Sequence, residues 1–411
     1  MFAPKEKPLP AAVLKPSPTN NTRSPEGEGI HLGEGYYWNL SALPNGHIVA
    51  IGASGSGKTQ TLKAIAFSLH RTYPEMQIIL LDFHGDQEII GETCYPIHMA
   101  SPHGINPLVV NLDPEGGGSN LQAISIAGIL KKSLLLGPNQ EGMLIEIIKS
   151  CYLKRGITQE KRSTWSLEPP NFNDIQTQIL ERISSGCKES QKLYLKLAAT
   201  FEYGIFSRSQ PKFNEKLLRI DLSKLPTELR AIAAESLAWQ LMNLHRLQGE
   251  IQGRLPRTFL FIDEAKEMPK KEGSACVRII AYGRKFGLAL VMASQSERHL
   301  SADVIGNSST KIVLPVDQTE CSKVAKKFRF AEKGIAALEP LTALCRFGKE
   351  AELLEILPYY QRERRCSIKL DSSSKIILPI GSTPKSIKTC CKISRQTLNV
   401  CNQLQQLLIT I

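Results

Sequence analysis

Residues 47–61 read HIVAIGASGSGKTQT, and the reading of this stretch decides the fold. Four apolar residues, Ile48 to Ile51, run straight into Gly52-Ala53-Ser54-Gly55-Ser56-Gly57-Lys58-Thr59, the G-x-x-x-x-G-K-T spacing of a phosphate-binding loop. Glycines at 52, 55 and 57 allow positive φ and close backbone approach, so that successive N–H groups can face an anion. Lys58 is placed to reach the β and γ phosphates, and the Thr59 hydroxyl to ligate Mg²⁺. The apolar spacing from Thr61 to Leu69 predicts a helix whose N-terminal dipole favours the same charge. Strand, loop and helix thus follow in the order the chemistry needs.

Further apolar runs predict the partners of that first strand. Gln77–Leu81 is uninterrupted and suits a sheet covered on both faces, ending in Asp82-Phe83-His84-Gly85-Asp86. A weaker strand signal falls at 95–98, the sheet resumes at 216–221, and further strands are expected at 258–262, 288–293 and 311–315, with a terminal hairpin around Leu344 and 353–356. Helical periodicity fills 119–210, where Leu144, Ile147, Ile148 and Cys151 form one stripe and Ile175, Ile179 and Ile183 another. An amphipathic helix is expected after Pro226, with Leu229, Ile232, Leu237, Leu241 and Leu244 on one face. The alternation of strands and helices argues an α/β fold with a mostly parallel sheet. Tyr36, Tyr37 and Trp38 fit either an edge strand under a nucleotide base or a plain hairpin in the core.

The expected layout is a disordered Pro-rich tail over 1–30, a first part of the nucleotide-binding domain over 31–118 and a helical insertion over 119–210. The second part of the domain covers 211–361, and a basic tail covers 362–411. A formal net charge of +12 points to polyanions, nucleic acid first among them. From Arg362 onward nine Lys and Arg face only Glu363 and Asp371, so the core is less basic than the whole chain. Ten scattered cysteines without a C-x-x-C pair suggest a reduced, cytoplasmic chain rather than a disulfide scaffold or zinc site. No apolar run reaches the ~20 residues of a membrane span.

The second half of the chemistry lies at FLFIDE, 259–264. Asp263 at a strand tip can hold Mg²⁺, and Glu264 is placed to deprotonate an attacking water. Gln295 ends the next strand within reach of a γ phosphate or the lytic water. Arg284, in the segment leading to that strand, could serve a neighbour's site. Lys266, Lys270 and Lys271 follow the carboxylates and read equally as a channel lining or a solvated loop.

In this order GASGSGKTQT, LDFHGD, INPL, FIDEAKEM, GRKFGLALVMASQ and STKIVLP resemble the HerA/FtsK superfamily of P-loop motor ATPases, on the HerA side with the conjugation ATPases. The resemblance covers roughly residues 48–346. It implies a RecA-like P-loop NTPase fold with an inserted helical subdomain, a homo-hexameric ring with ATP at the subunit interfaces, and non-sequence-specific movement of DNA. It implies ATP and Mg²⁺ as cofactors, Gly52, Ser54, Gly55, Ser56, Gly57, Lys58, Thr59 and Gln60 as the nucleotide-binding set, and Thr59 and Asp263 as metal residues. Glu264 would be the base, Gln295 the sensor and Arg284 a finger acting in trans. HerA-like proteins often carry an N-terminal β-barrel where this chain has a Pro-rich stretch, so a nuclease or mobile-element partner is an open expectation. Two other readings stand beside the DNA motor: a conjugation ATPase moving protein or DNA, and a nucleotide-controlled scaffold in a defence complex.

Overall fold

The computed structural model describes residues 23–24, 29–33, 35–270 and 273–363. A short three-stranded sheet comes first: β1 (Arg23–Ser24), β2 (Ile30–Gly33) and β3 (Tyr36–Trp38), in the order β1-β3-β2. Then follow β4 (Ile48–Ile51), α1 (Lys58–Thr72), β5 (Gln77–Asp82) and β6 (Thr93–Pro96). Four helices come next, α2 (Ser119–Leu134), α3 (Pro138–Lys154), α4 (Phe172–Ser184) and α5 (Lys188–Tyr203). The sheet resumes with β7 (Leu217–Asp221), α6 (Thr227–Leu247), β8 (Thr258–Ile262), α7 (Ala275–Tyr282) and β9 (Leu288–Ser294). The last elements are α8 (Ala302–Asn307), β10 (Thr310–Val313), α9 (Gln318–Phe328), α10 (Glu332–Ala336), β11 (Thr342–Phe347) and β12 (Glu350–Glu355).

The main sheet has nine strands in the order β12-β11-β10-β4-β9-β8-β5-β7-β6. Every pairing from β10 to β6 is parallel, and β11 alone runs against the rest, paired antiparallel with β10 on one side and with β12 on the other. Burial on both faces explains the composition of the inner strands: all of IVAI in β4, TFLFI in β8 and LALVMAS in β9 is buried. The order has a functional consequence. β9 lies between the strand of the glycine loop and the strand of the two carboxylates, so the tips of all three converge at one carboxyl edge.

The helices of the insertion share one apolar core with the sheet: Leu144, Ile147, Ile148, Ile175 and Ile179 belong to the same buried cluster as Ile51 and Ile262. Other expectations are corrected. Leu244 is exposed at 49%, because the buried face of α6 runs from Leu241 and Met242 to His245 and leaves it at the edge. Tyr36 and Trp38 are buried against the Phe347 ring, 5.2 and 5.6 Å between centroids, so this segment is a core hairpin rather than a shelf for a base. The region expected to be tail up to residue 30 contributes β1, which pairs with Tyr37 and Trp38. Arg362, read as the start of the basic tail, is buried and donates to the Leu357 carbonyl, the Ser68 hydroxyl and the Leu32 carbonyl. Residues 1–22 and the tail from 364 onward lie outside the described residues.

One buried charge cluster supports the carboxyl edge. Arg219 on β7 donates to Asp82 Oδ2 at 3.0 Å and Glu92 Oε1 at 2.6 Å. Asp82 is fully buried and also accepts the amides of His84, Gly85 and Gln87 at 3.1, 2.7 and 3.1 Å, which folds the turn after β5. Replacing Arg219 with Met leaves two buried carboxylates without a counterion. That substitution is expected to cost about 3–5 kcal/mol, measurable as a lowered urea midpoint.

Candidate functional site

The loop after β4 hangs between two neighbouring strand ends. Gly52 N–H donates to the Ser294 carbonyl at 3.1 Å and Ala53 N–H to the Pro315 carbonyl at 2.8 Å. A side chain at 52 has no room, since a Cβ there would lie 2.5 Å from Ser56 Oγ and 2.9 Å from Leu314 Cβ. Gly57 is the left-handed N-cap of α1 at φ 93°, and a Cβ would meet Leu341 Cδ2 at 2.5 Å. Among the described residues the N–H groups of Gly55, Gly57, Lys58 and Thr59 find no acceptor. A row of unused donors at a helix N-terminus, with a lysine among them, is an anion site.

Asp263 and Glu264 follow β8 directly and meet that loop. Asp263 accepts Lys58 Nζ on Oδ1 at 3.1 Å, and on Oδ2 the Thr59 hydroxyl at 2.8 Å and Gln87 Nε2 at 2.5 Å. A hydroxyl and a carboxylate side by side are hard oxygen donors of the kind Mg²⁺ prefers, so the residues fit such an ion. Glu264 is 1% exposed; its Oε2 accepts Gln295 Nε2 at 3.2 Å, with His84 Nε2 and Lys266 Nζ each 3.8 Å away. Among the described residues its buried Oε1 has no hydrogen-bond partner, an acceptor free to take a proton. Asp86 stands nearby, its carboxyl pushed up by burial and then by the charges of Asp263 and Asp82.

No protein-family model and no curated protein sequence matches the chain. Solved structures do. VirB4 of Thermoanaerobacter pseudethanolicus superposes with a TM-score of 0.67 at 15% identity, over 81% of this chain and 97% of that one. The plasmid coupling protein TrwB in complex with the ATP analogue ADPNP gives 0.57 at 13% identity, over 82% and 90%. TrwB in complex with ADP and Mg²⁺ gives 0.55 at 14% identity, again over 82% and 90%. The chain has the RecA-like P-loop NTPase fold. This is the fold that the HerA/FtsK resemblance implies.

Within this P-loop fold most of the sequence-expected residues gather at one edge. Lys58, Thr59, Asp263, Glu264 and Gln295 form one chain of contacts. Ser54 and Gly55 are exposed on the loop, whereas Ser56 is 3% exposed with its hydroxyl unpartnered. Gln60 faces another way: its Oε1 accepts the backbone N–H of Tyr360 at 3.3 Å. Lys266 Nζ stands 3.8 Å from Glu264 Oε2, and Lys270 Nζ donates to the Arg298 carbonyl at 2.5 Å. Lys271 lies outside the described residues. Gln87 and His84 also belong to this group, and the signal for them in the sequence is the polar turn closing a buried strand.

Arg284 is not brought to this site. It is exposed in the turn before β9, at the amino edge of the sheet, where its charge acts on His47. His47 immediately precedes β4, is 1% exposed, and accepts the Leu290 N–H on Nδ1 at 3.0 Å, which places the ring proton on Nε2. Burial first, and Arg284 second, push its pKa from 6.5 down to about 4. The unfolded chain therefore binds more protons than the folded one between those values, and stability falls as pH drops through that window. The loss is on the order of 3 kcal/mol at its full extent. Urea midpoints compared at about pH 7.5 and pH 5 should show it, and His47→Asn, which keeps an acceptor but does not titrate, should flatten the difference.

Proposed function

We propose that the chain is an ATP-hydrolysing ring motor of the HerA/FtsK type that translocates or unwinds DNA without reading its sequence. It works in the cytoplasm as a homo-hexamer with Mg²⁺ and with ATP at the subunit interfaces. The observation that carries the reading is Asp263, which holds both Lys58 and Thr59 while the adjacent Glu264 keeps one buried oxygen unpartnered. A triphosphate entering the loop competes with Asp263 for Lys58, and the free N–H groups of the loop bind its oxygens. Thr59 and Asp263 hold the metal, which when bound neutralises charge on the β and γ oxygens. Glu264 takes a proton from water, Gln295 orients it, and Arg284 reaches the site of a neighbouring copy.

A second reading is a conjugation-type ATPase that moves protein or DNA through a channel. It is favoured by the likeness to VirB4 and to TrwB, the latter described as a conjugative coupling protein. A scaffold that binds nucleotide without turnover has little use for a base at Glu264. ATP turnover measured with and without single- and double-stranded DNA separates these. A DNA motor is expected to be stimulated several-fold by one of the two. Turnover indifferent to both leaves the protein-moving reading, and no turnover leaves the scaffold.

A further inference from the structure

Away from the P-loop, three cations crowd together with no carboxylate among the described residues to neutralise them. Lys311 on β10 and Arg346 on β11 are direct cross-strand partners. Like charges in that relation repel, so the pair lowers the stability of the hairpin unless an anion joins it. Arg329 completes the group from the left-handed C-cap of α9, φ 61°. Arg346 stacks over the Phe330 ring at 4.8 Å and donates to the Arg329 carbonyl, while its Nε is buried without a partner. Among the described residues no carboxylate pairs with any of the three. Lys311 is held below the usual lysine range by burial, then by Arg346 and Arg329, and Arg346 is lowered by burial and then by Arg329.

Two of the three, Lys311 and Arg329, border a cavity of about 230 Å³ whose other lining residues are Ala302, Ile305, Gly306 and Lys327. Its polar wall is entirely cationic, and of its cations only Lys327 is committed, to Glu297. We infer that this cavity is a second phosphate site, in which Lys311 and Arg329, backed by Arg346, hold the oxygens of a phosphate group. Guanidinium and ammonium donors converging on one small space suit a tetrahedral oxyanion, and binding one converts repulsion between the cations into attraction. The phosphate comes from a nucleic-acid backbone or from a free phosphate or nucleotide. Only the use of DNA as a probe rests on the proposed function.

The full chain carrying Lys58→Ala, which weakens the first anion site, separates the two. Pyrophosphate is expected to raise its thermal midpoint by several degrees, and to have no such effect once Lys311→Met and Arg329→Met are added. Without the anion the added substitutions should leave the midpoint unchanged or higher, because repulsion is relieved. Three results would overturn the site: no rise in Lys58→Ala, the same rise in the triple variant, or a lower anion-free midpoint in the triple variant. If the triple variant does not fold, Lys311→Gln in the Lys58→Ala chain replaces it under the same criteria. Fluorescence anisotropy with labelled single- and double-stranded DNA then assigns the source, using the double variant with Lys58 intact. An affinity loss of tenfold or more, with the salt slope shallower by about 2, assigns the nucleic-acid backbone. Unchanged DNA affinity beside a lost pyrophosphate effect assigns free phosphate or nucleotide. ATP turnover without DNA should be unaltered in the double variant, and the pyrophosphate result holds whether or not the chain hydrolyses ATP.

Discussion

Replacing Glu264 with Gln is expected to leave nucleotide binding intact and to lower ATP turnover by about 10²–10⁴-fold. The glutamine keeps the shape of the side chain and can still accept Gln295 Nε2, which lies 3.2 Å from Glu264 Oε2. It removes the one function the geometry gives to Oε1, an acceptor with no partner among the described residues. Lys58, Thr59 and Asp263 are untouched, so the affinity for an ATP analogue should hold within about twofold, a difference worth less than ~0.5 kcal/mol. Stability should not fall either, since a buried unpaired carboxylate oxygen is replaced by a neutral group. Stopped-flow binding beside steady-state turnover reads both quantities on one preparation. A variant that turns over at the wild-type rate removes Glu264 from the chemistry.

The other large effect belongs to Arg284→Ala. If the guanidinium is supplied across a subunit interface, turnover should fall by about 10³–10⁵-fold with binding preserved. Its position by His47, at the edge of the sheet away from the loop, makes action on its own site untenable without a rearrangement of β9. A mixing experiment exploits this. Arg284→Ala and Glu264→Gln chains, each inactive alone, should recover activity when combined, because one interface in the mixed ring then joins an intact base to an intact arginine. Failure of every mixture to recover would place Arg284 outside the reaction or on its own site.

What was legible in the sequence was local. The loop at 52–59 and the pair Asp263-Glu264 each follow a short apolar strand, and their chemistry is set by neighbours in the chain. Parallel topology was legible too, because β4, β8 and β9 are apolar on both faces. What escaped notice depends on partners far along the chain. Gln87 reaches Asp263 across a sequence separation of 176, through a turn held by Asp82, which is itself fixed by Arg219 at a separation of 137. Periodicity placed Leu244 on the buried face of α6, but the neighbouring His245 is the residue covered there, and which edge of a stripe is buried depends on what packs against it. Arg362 looked like part of a solvated charge run, and only the fold puts Ser68 and the Leu32 carbonyl beside it. The crowding of Lys311 against Arg346 is likewise invisible until the register of β10 on β11 is known.

The central claim is that the glycine loop and the β8 carboxylates, 205 residues apart between Lys58 and Asp263, enclose one metal-bound triphosphate. It is tested most directly by determining the structure with a non-hydrolysable ATP analogue and Mg²⁺. The account expects the triphosphate along residues 52–59, Lys58 shifted from Asp263 onto phosphate oxygens, and the metal on Thr59 Oγ1 with Asp263 bound to it directly or through water. A nucleotide seated elsewhere, or a metal with Asp263 remote from it, would contradict the account.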